Sequence, residues 1–490
     1  MTVSTSTVST STEHSQLSNQ SAPSSALTED RDTQREQATQ IKQATQIKQA
    51  TQIKQATQQR LEKPKVLLIA ERANPEYTSI PLRGWCHGRA IADLTDAHIV
   101  TQHWNGPAYL RTGFTNFTGL NTSIIHEPMK LAIAVLRGGK GKGWTMDTAL
   151  SALEYYYFEW LVWRRFGKRI KAGEFDVVHR LIPSSPTVPS LIAAKCEKAG
   201  VPFVLGPING GLPWPQAFES ARRQEKEWLS YIRDIYRLMP GYKSTREAAS
   251  AIMVGSQATL KQVEETYRSK CVYFPANAVD TEKFRRKRTT GQQNSRPIKL
   301  VFIGRLVPYK GADMLIEAAS DLLQAGKATL EIIGDGPQKD ALEQQISQAK
   351  LGNSVTLVGK VPHAQLQDRL AQADVFAFPS IREFGGAVVL EAMAIGLLPV
   401  VVDYGGPGEM VTPSTGYKVA LGNRQQIVSS FREVLYNIVS HPNQIDVMGE
   451  NARSRILSKF TWEERARQTL DVYRWAMSKD VPKPEYDYTR

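Results

Sequence analysis

The sequence predicts an α/β protein made of two facing, doubly wound domains behind a disordered N-terminal tail. Three observations carry this expectation. Short apolar runs alternate with helical patterns, the mark of βαβ units around a parallel sheet. The alternation occurs twice, on either side of a polar, basic stretch at 283–296. The first 62 residues lack it altogether.

The elements follow in chain order. Residues 1–62 are rich in Ser and Thr, then repeat the hexapeptide QATQIK from Gln37 to Lys54. Ile41, Ile47 and Ile53 recur every six residues. On a helix each would lie about 120° from the last, so no apolar stripe forms and a disordered tail is expected. The first domain is placed at 63–282. A buried strand is expected over 66–70, then a loop carrying Gly84 and Gly88, then a helix ending near Leu94. Further strands are expected at 99–100, 175–179, 202–206 and 251–254, with a helix over 190–198. The linker, 283–296, holds six basic and no acidic residues. The second domain, 297–460, has strands expected at 298–303, 329–333, 355–358, 375–378 and 398–402. In the last segment, 461–490, Thr461 is placed to cap a final helix running to about Met477.

Composition narrows the class. Of 490 residues, 22% are charged and 41% hydrophobic, which suits a globular chain. The net charge of +13 is uneven: +8 over 63–282, +6 in the linker and −1 over 297–490. An anionic partner for the first domain would complement that field. Cys86, Cys196 and Cys271 form neither a disulfide framework nor a zinc motif, so a reducing, cytoplasmic setting is expected. The longest uncharged apolar stretch, 392–402, has eleven residues, short of the roughly 20 of a spanning helix. The N-terminus has no basic and apolar signal pattern.

The chemistry concentrates in the second half. Gly304-Arg305 and Lys310-Gly311 follow the first strand, where an anion would meet a forked guanidinium and a compact ammonium. Gly334-Asp-Gly-Pro337 follows the next strand and reads as a tight turn. Glu383-Phe-Gly385-Gly386 then precedes a helix that carries Glu391. Free N–H groups at that helix start would bind an anion, and two nearby carboxylates would accept hydroxyl hydrogen bonds.

The pieces GRLVPYKG, IIGDGP, VTLVGKVP, ADVFAFPS and Glu383-x7-Glu391 occur in this order within 298–478. Together they resemble the nucleotide-sugar domain of retaining family-4 (group 1) glycosyltransferases, which have the GT-B fold of two facing Rossmann-like domains. The family's usual E-G-F-G reads Glu383-Phe-Gly-Gly386 here, with Gly386 still in register. The resemblance implies that Arg305, Lys310 and Glu383 are catalytic, the two cations on the diphosphate and Glu383 on the transferred sugar. It implies that the amides of Gly386, Ala387 and Val388 cradle the phosphates, that Gly304, Gly334 and Gly385 also belong to the donor site, that Glu391 binds ribose, and that the main chain at Val361 meets the base. It also implies that the last helix crosses back to the first domain. The donor would be a nucleotide diphosphate sugar, with no metal or other cofactor required.

The acceptor side is less sharply drawn. Gly84, His179, Gly206 and Asn209 are its candidates, and Leu181 stands where many relatives carry a further histidine. For His179 a packed strand-end role stands beside the cleft role. Residues 136–142 imitate a phosphate loop but lack the Ser or Thr after Lys. Residues 155–171 combine aromatic and basic side chains, which suits either an anionic membrane surface or a packed helix with a solvated basic end. The expected partner is a saccharide or lipid-linked saccharide, with no nucleic acid. A nucleotide-sugar hydrolase or epimerase, and a non-catalytic nucleotide-sugar-binding protein, are the alternatives.

Overall fold

Two all-parallel sheets organise the chain, and each has the strand order of a doubly wound unit. The computed structural model describes residues 60–126, 144–219, 235–284 and 296–488, with Lys48 and Gln58. Apart from Lys48, the hexapeptide repeats lie outside the described residues, as do the stretch 136–142 and most of the basic linker.

The first sheet uses β1 (Lys65–Ala70), β2 (Asp96–Gln102), β3 (Phe117–Leu120), β4 (Val177–Ile182), β5 (Phe203–Ile208), β6 (Ala251–Val254) and β7 (Cys271–Tyr273). Their order is β3-β2-β1-β4-β5-β6-β7. The intervening helices are α1 (Ile80–Leu94), α2 (Gly106–Arg111), α3 (Trp144–Lys171), α4 (Ile192–Lys198), α5 (Tyr242–Ala248), α6 (Gln257–Gln262) and α7 (Glu265–Arg268). The second sheet uses β8 (Ile298–Ile303), β9 (Ala328–Ile333), β10 (Val355–Gly359), β11 (Val375–Phe378), β12 (Leu398–Val402) and β13 (Tyr417–Val419), in the order β10-β9-β8-β11-β12-β13. Its helices are α8 (Ala312–Gln324), α9 (Lys339–Gln348), α10 (His363–Leu370), α11 (Ala387–Ile395), α12 (Gly405–Met410), α13 (Arg424–Ser440) and α14 (Asn443–Lys459), followed by α15 (Trp462–Met477).

Central strands such as β1 and β12 are buried on both faces, which explains why they read as unbroken apolar runs. Strand order reverses between β1 and β4, and again between β8 and β11. Ligands of such sheets sit at these switch points, outside the carboxyl ends of the strands.

The first domain corrects two expectations. Gly84 and Gly88 lie inside α1, not in a loop. A Cβ on Gly84 would stand 2.5 Å from Ile182 Cγ1, and one on Gly88 would touch Ile99 and Leu181 at 3.5 Å. Both glycines therefore let α1 settle on the sheet, and Gly84 is a packing residue.

The chain crosses between the sheets twice, side by side. Val279 pairs in parallel with Thr461, and its N–H donates to the Phe460 carbonyl at 2.8 Å. Thr461 caps α15 by accepting from the Glu464 N–H. That helix packs on α1 and buries Ala466, Leu470, Val472 and Tyr473 in the first domain's core.

His179 belongs to the same contact. It is fully buried, with Nε2 2.6 Å from the Gly206 carbonyl and Nδ1 2.7 Å from the Tyr473 hydroxyl. Only Nε2–H can donate to a carbonyl, so the ring is the Nε2 tautomer and Tyr473 donates to Nδ1. Both nitrogens are spent on packing, so His179 does not line a cleft. Gly206 lies within β5, its φ of 119° and the adjacent Met253 carbonyl leaving no room for a Cβ.

Burial pushes the His179 pKa down to about 4. The unfolded chain therefore takes up a proton below about pH 6.5 that the folded chain refuses, and stability falls from there toward pH 4. Tyr473→Phe should cost about 1–3 kcal/mol at pH 7.5, because it leaves Nδ1 buried without a donor. Thermal melts at pH 7.5 and 5.5 check both effects: the variant melts lower at pH 7.5, and the wild type loses stability at pH 5.5.

Candidate active site

The ends of β8, β9 and β11 are stitched into one platform. The Gly304 N–H donates to the Ile333 carbonyl and the Leu306 N–H to the Asp335 carbonyl, both at 3.0 Å. The Gln338 N–H returns to the Leu306 carbonyl at 3.1 Å. Gly334, at φ 150°, passes so close to the Gly304 carbonyl that a Cβ would collide with it. The Ile381 N–H donates to the Tyr309 carbonyl at 3.0 Å, which ties the Lys310 turn to the segment after β11.

On this platform Lys310 Nζ meets Glu383 Oε2 in an ion pair. The other carboxylate oxygen of Glu383 accepts the N–H groups of Gly386 at 3.1 Å and Gly385 at 3.4 Å. Burial alone would raise the pKa of Glu383, but the Lys310 charge and these two amides outweigh it and hold the carboxyl below its ordinary value. Gly386 caps α11 with φ 58°, a left-handed conformation that suits glycine. The Gly385 and Gly386 amides are thus occupied by Glu383. The next N–H groups, of Ala387 and Val388, open the helix and have no intrahelical acceptor.

Arg305 is exposed past the end of β8 and has no ion-pair partner among the described residues. Glu391 lies one turn into α11. Its Oε1 is 2.9 Å from His363 Nε2, and its Oε2 is buried with no hydrogen-bond partner among the described residues. Val361 is half-buried in the connection from β10 to α10. Asp335 accepts the Gly336 N–H within its own turn, and Asp403 pairs with Lys418.

The first domain reaches the same turn. Asn209 Nδ2 donates to the Phe384 carbonyl at 3.3 Å, while its Oδ1 accepts from Ser256 and Thr259. A Cβ on Gly385 would run into the Asn277 amide. The Arg382 guanidinium lies 4.8 Å over Trp214 and 5.1 Å over Phe384. Of the four acceptor-side candidates, Asn209 alone touches the second domain's site; Gly84, His179 and Gly206 are packing residues.

The first domain's ionisable groups gather instead at the ends of β1 and β2. Burial, with Glu154 nearby, pushes the Glu71 carboxyl up to about 7 against the pull of Arg72. Arg72 bridges Glu71 at 3.5 Å and Glu154 at 2.6 Å, and His126 Nδ1 lies 2.8 Å from Glu154. The Trp104 ring lies 4.7 Å from His126. In α3, Tyr155, Phe158, Val162 and Phe166 are core, while Leu153, Trp160, Arg164, Arg165 and Lys168 are exposed.

Residues 283–455 match the family described as "Glycosyl transferases group 1". The match lies within the second domain and the linker before it. An uncharacterized glycosyltransferase of Methanocaldococcus jannaschii is 30% identical over 258 residues, 48% of this chain and 62% of that protein. The GPI3 subunit of phosphatidylinositol N-acetylglucosaminyltransferase from Saccharomyces cerevisiae is 28% identical over 40% of this chain and 44% of its own length. The chain thus spans less than two thirds of these two curated relatives. A GDP-mannose-dependent phosphatidylinositol monomannoside mannosyltransferase of Corynebacterium glutamicum is 28% identical over 58% of this chain and 73% of that one. Among solved structures, a glycosyltransferase from Rickettsia africae superposes with a TM-score of 0.57 at 14% identity, over 85% of this chain and 99% of that one. Anabaena Alr3699/HepE superposes with a TM-score of 0.55 at 16% identity, over 83% and 98%. The fold is GT-B, and the family match falls in its second half.

Lys310→Met should leave Glu383 half-buried beside two amides without the Lys310 charge. Its carboxyl should then titrate above the ordinary 4.5. Carboxyl 13C shifts in Glu-labelled protein measure this. A midpoint still below 4.5 would mean that the two amides suffice.

Proposed function

We propose that the protein is a retaining glycosyltransferase that moves a sugar from a nucleotide diphosphate sugar to a hydroxyl of a saccharide or lipid-linked saccharide. The observation that carries this reading is the Lys310–Glu383 pair at the start of α11, one turn from the unpartnered Oε2 of Glu391. A cation, free helix amides and two carboxylates in that order match the parts of such a donor: diphosphate, transferred sugar and ribose.

The reaction breaks the bond between the anomeric carbon and the diphosphate oxygen. Negative charge grows on the departing diphosphate, where Lys310, Arg305 and the Ala387 and Val388 amides would stabilise it. Positive charge grows on the sugar ring. The acceptor oxygen would attack the same face, and its proton would pass to the leaving phosphate oxygen. Glu383 would leave Lys310 for a sugar hydroxyl as the phosphate takes its place. Asn209, which touches the Glu383 turn from the opposite domain, stands on the acceptor side.

The Corynebacterium relative is by name GDP-mannose-dependent and acts on a phosphatidylinositol mannoside. That supports a lipid-linked acceptor here, taken up at an anionic membrane surface facing the cytoplasm. The exposed Leu153 and Trp160 beside Arg164, Arg165 and Lys168 on α3 suit such a surface. Among the described residues no helix is long and apolar enough to cross a membrane.

Nucleotide release from UDP-, GDP- and ADP-sugars, with and without a glycolipid extract, tests the reaction. One donor should turn over with extract, and Glu383→Gln and Lys310→Ala should each lose roughly 10²–10³ in rate. Binding without release, equal in all three proteins, would favour a non-catalytic nucleotide-sugar-binding protein. Sedimentation with phosphatidylglycerol vesicles tests the membrane contact, and equal recovery with neutral vesicles would remove it.

A further inference from the structure

One side chain near the donor site is neither in the motif Glu383-x7-Glu391 nor assigned a role by it. His363 opens α10, two residues after Val361. Its Nε2 lies 2.9 Å from Glu391 Oε1. A carboxylate accepts only, so Nε2–H donates. The bond leaves Glu391 with one oxygen occupied and the other, Oε2, buried and without a partner. A free carboxylate turns readily about its last torsion, so either oxygen could face a ligand. Pinned by His363, Glu391 offers one defined acceptor.

His363 is itself held from another direction. The Phe284 ring stands edge-on to it at 5.5 Å, and Phe284 is 3% exposed. Phe284 belongs to the segment that has just crossed from the first domain. On that segment Lys283 pairs with Asp280 at 3.2 Å, and both charges lie within electrostatic reach of His363. Glu391 is the third charged group around the ring. The side chain is thus fixed by a carboxylate on one side and an aromatic wall on the other.

We propose that His363 is a positioning residue for the nucleoside half of the donor. By holding Oε1 of Glu391 it aims Oε2 at the ribose hydroxyls and sets the discrimination between ribose and deoxyribose. This rests on the reading that Glu391 meets the ribose. An unpartnered buried acceptor is costly until a hydroxyl fills it, and a site built around one rejects ligands that lack that hydroxyl.

The test compares dissociation constants for UDP, GDP and ADP with those for their 2′,3′-dideoxy counterparts. Wild type is measured beside His363→Ala, His363→Gln and Glu391→Gln, with thermal melts to confirm folding. The wild type should prefer the ribose form of its nucleotide by about tenfold or more. His363→Ala should lose most of that preference while binding the dideoxy form within about twofold of wild type. His363→Gln, which keeps an N–H donor, should recover part of it. Equal weakening toward both forms would make His363 merely structural and overturn the proposal. So would a preference lost in Glu391→Gln and kept in His363→Ala, and that result would leave the ribose role of Glu391 standing. A wild type without preference, unchanged in Glu391→Gln, would overturn both.

Discussion

The geometry of the whole molecule hangs on how two chain crossings are held against each other, and Arg465 is at their centre. Its side chain is fully buried at the start of α15. Its guanidinium lies about 5 Å from the rings of Phe274, Phe460 and Tyr488. Phe274 precedes the outgoing crossing, Phe460 precedes the returning one, and Tyr488 comes from the C-terminal segment. A buried cation is costly unless its donors and its charge are satisfied. Here Nη1 donates to Gln468 and to the Tyr488 hydroxyl and Nη2 donates to the Lys459 carbonyl, Nε is buried without an acceptor among the described residues, and three aromatic rings stand around the charge. Because these partners come from separate stretches of chain, they surround Arg465 only when both crossings and the C-terminal segment are in place.

A second charge, half-buried, organises the site. Glu383 satisfies its carboxylate with one ammonium and two main-chain amides, and its own carbonyl accepts the Gly406 N–H at 3.0 Å. Those partners come from the β8 loop, the start of α11 and the start of α12. The carboxylate joins the Lys310 turn to the start of α11, and the main-chain carbonyl of the same residue adds the start of α12, so glycine-rich turns after three different strands converge on residue 383. The same pull explains why two of the amides at the helix start serve Glu383, leaving the next two for an anion.

Much of this was legible in the sequence, for a physical reason. A strand buried on both faces is an apolar run whatever its partners, so β8, β11 and β12 have the bounds their composition implies. The start of α15 was legible because a Thr cap acts on its own first turn. The resemblance brought Lys310 and Glu383 together across 73 residues, which no local pattern could do. What failed were residues whose role is set by a distant partner. Gly84 looks like a loop glycine until Ile182 is beside it, and the two roles open to His179 are decided only by Tyr473, 294 residues away. Asn277 gave no signal at all, since its neighbour is the turn at Gly385. His363 was findable, because it stands two residues beyond Val361, but only Glu391 gives it meaning.

The turn 382–386 is where these constraints meet. From the second domain it presents Glu383 and starts α11; from the first it is touched by Asn209, by Asn277 and, through Arg382, by Trp214. Any motion that separates the domains must break the Asn209 bond to the Phe384 carbonyl and the Trp214 contact with Arg382. The backbone that those contacts steady is the same backbone that offers two amides to Glu383. Domain contact and carboxylate placement therefore share one short peptide. A shift of the first domain need not travel along a chain of side chains to be felt at Glu383; it acts on the residues immediately flanking it.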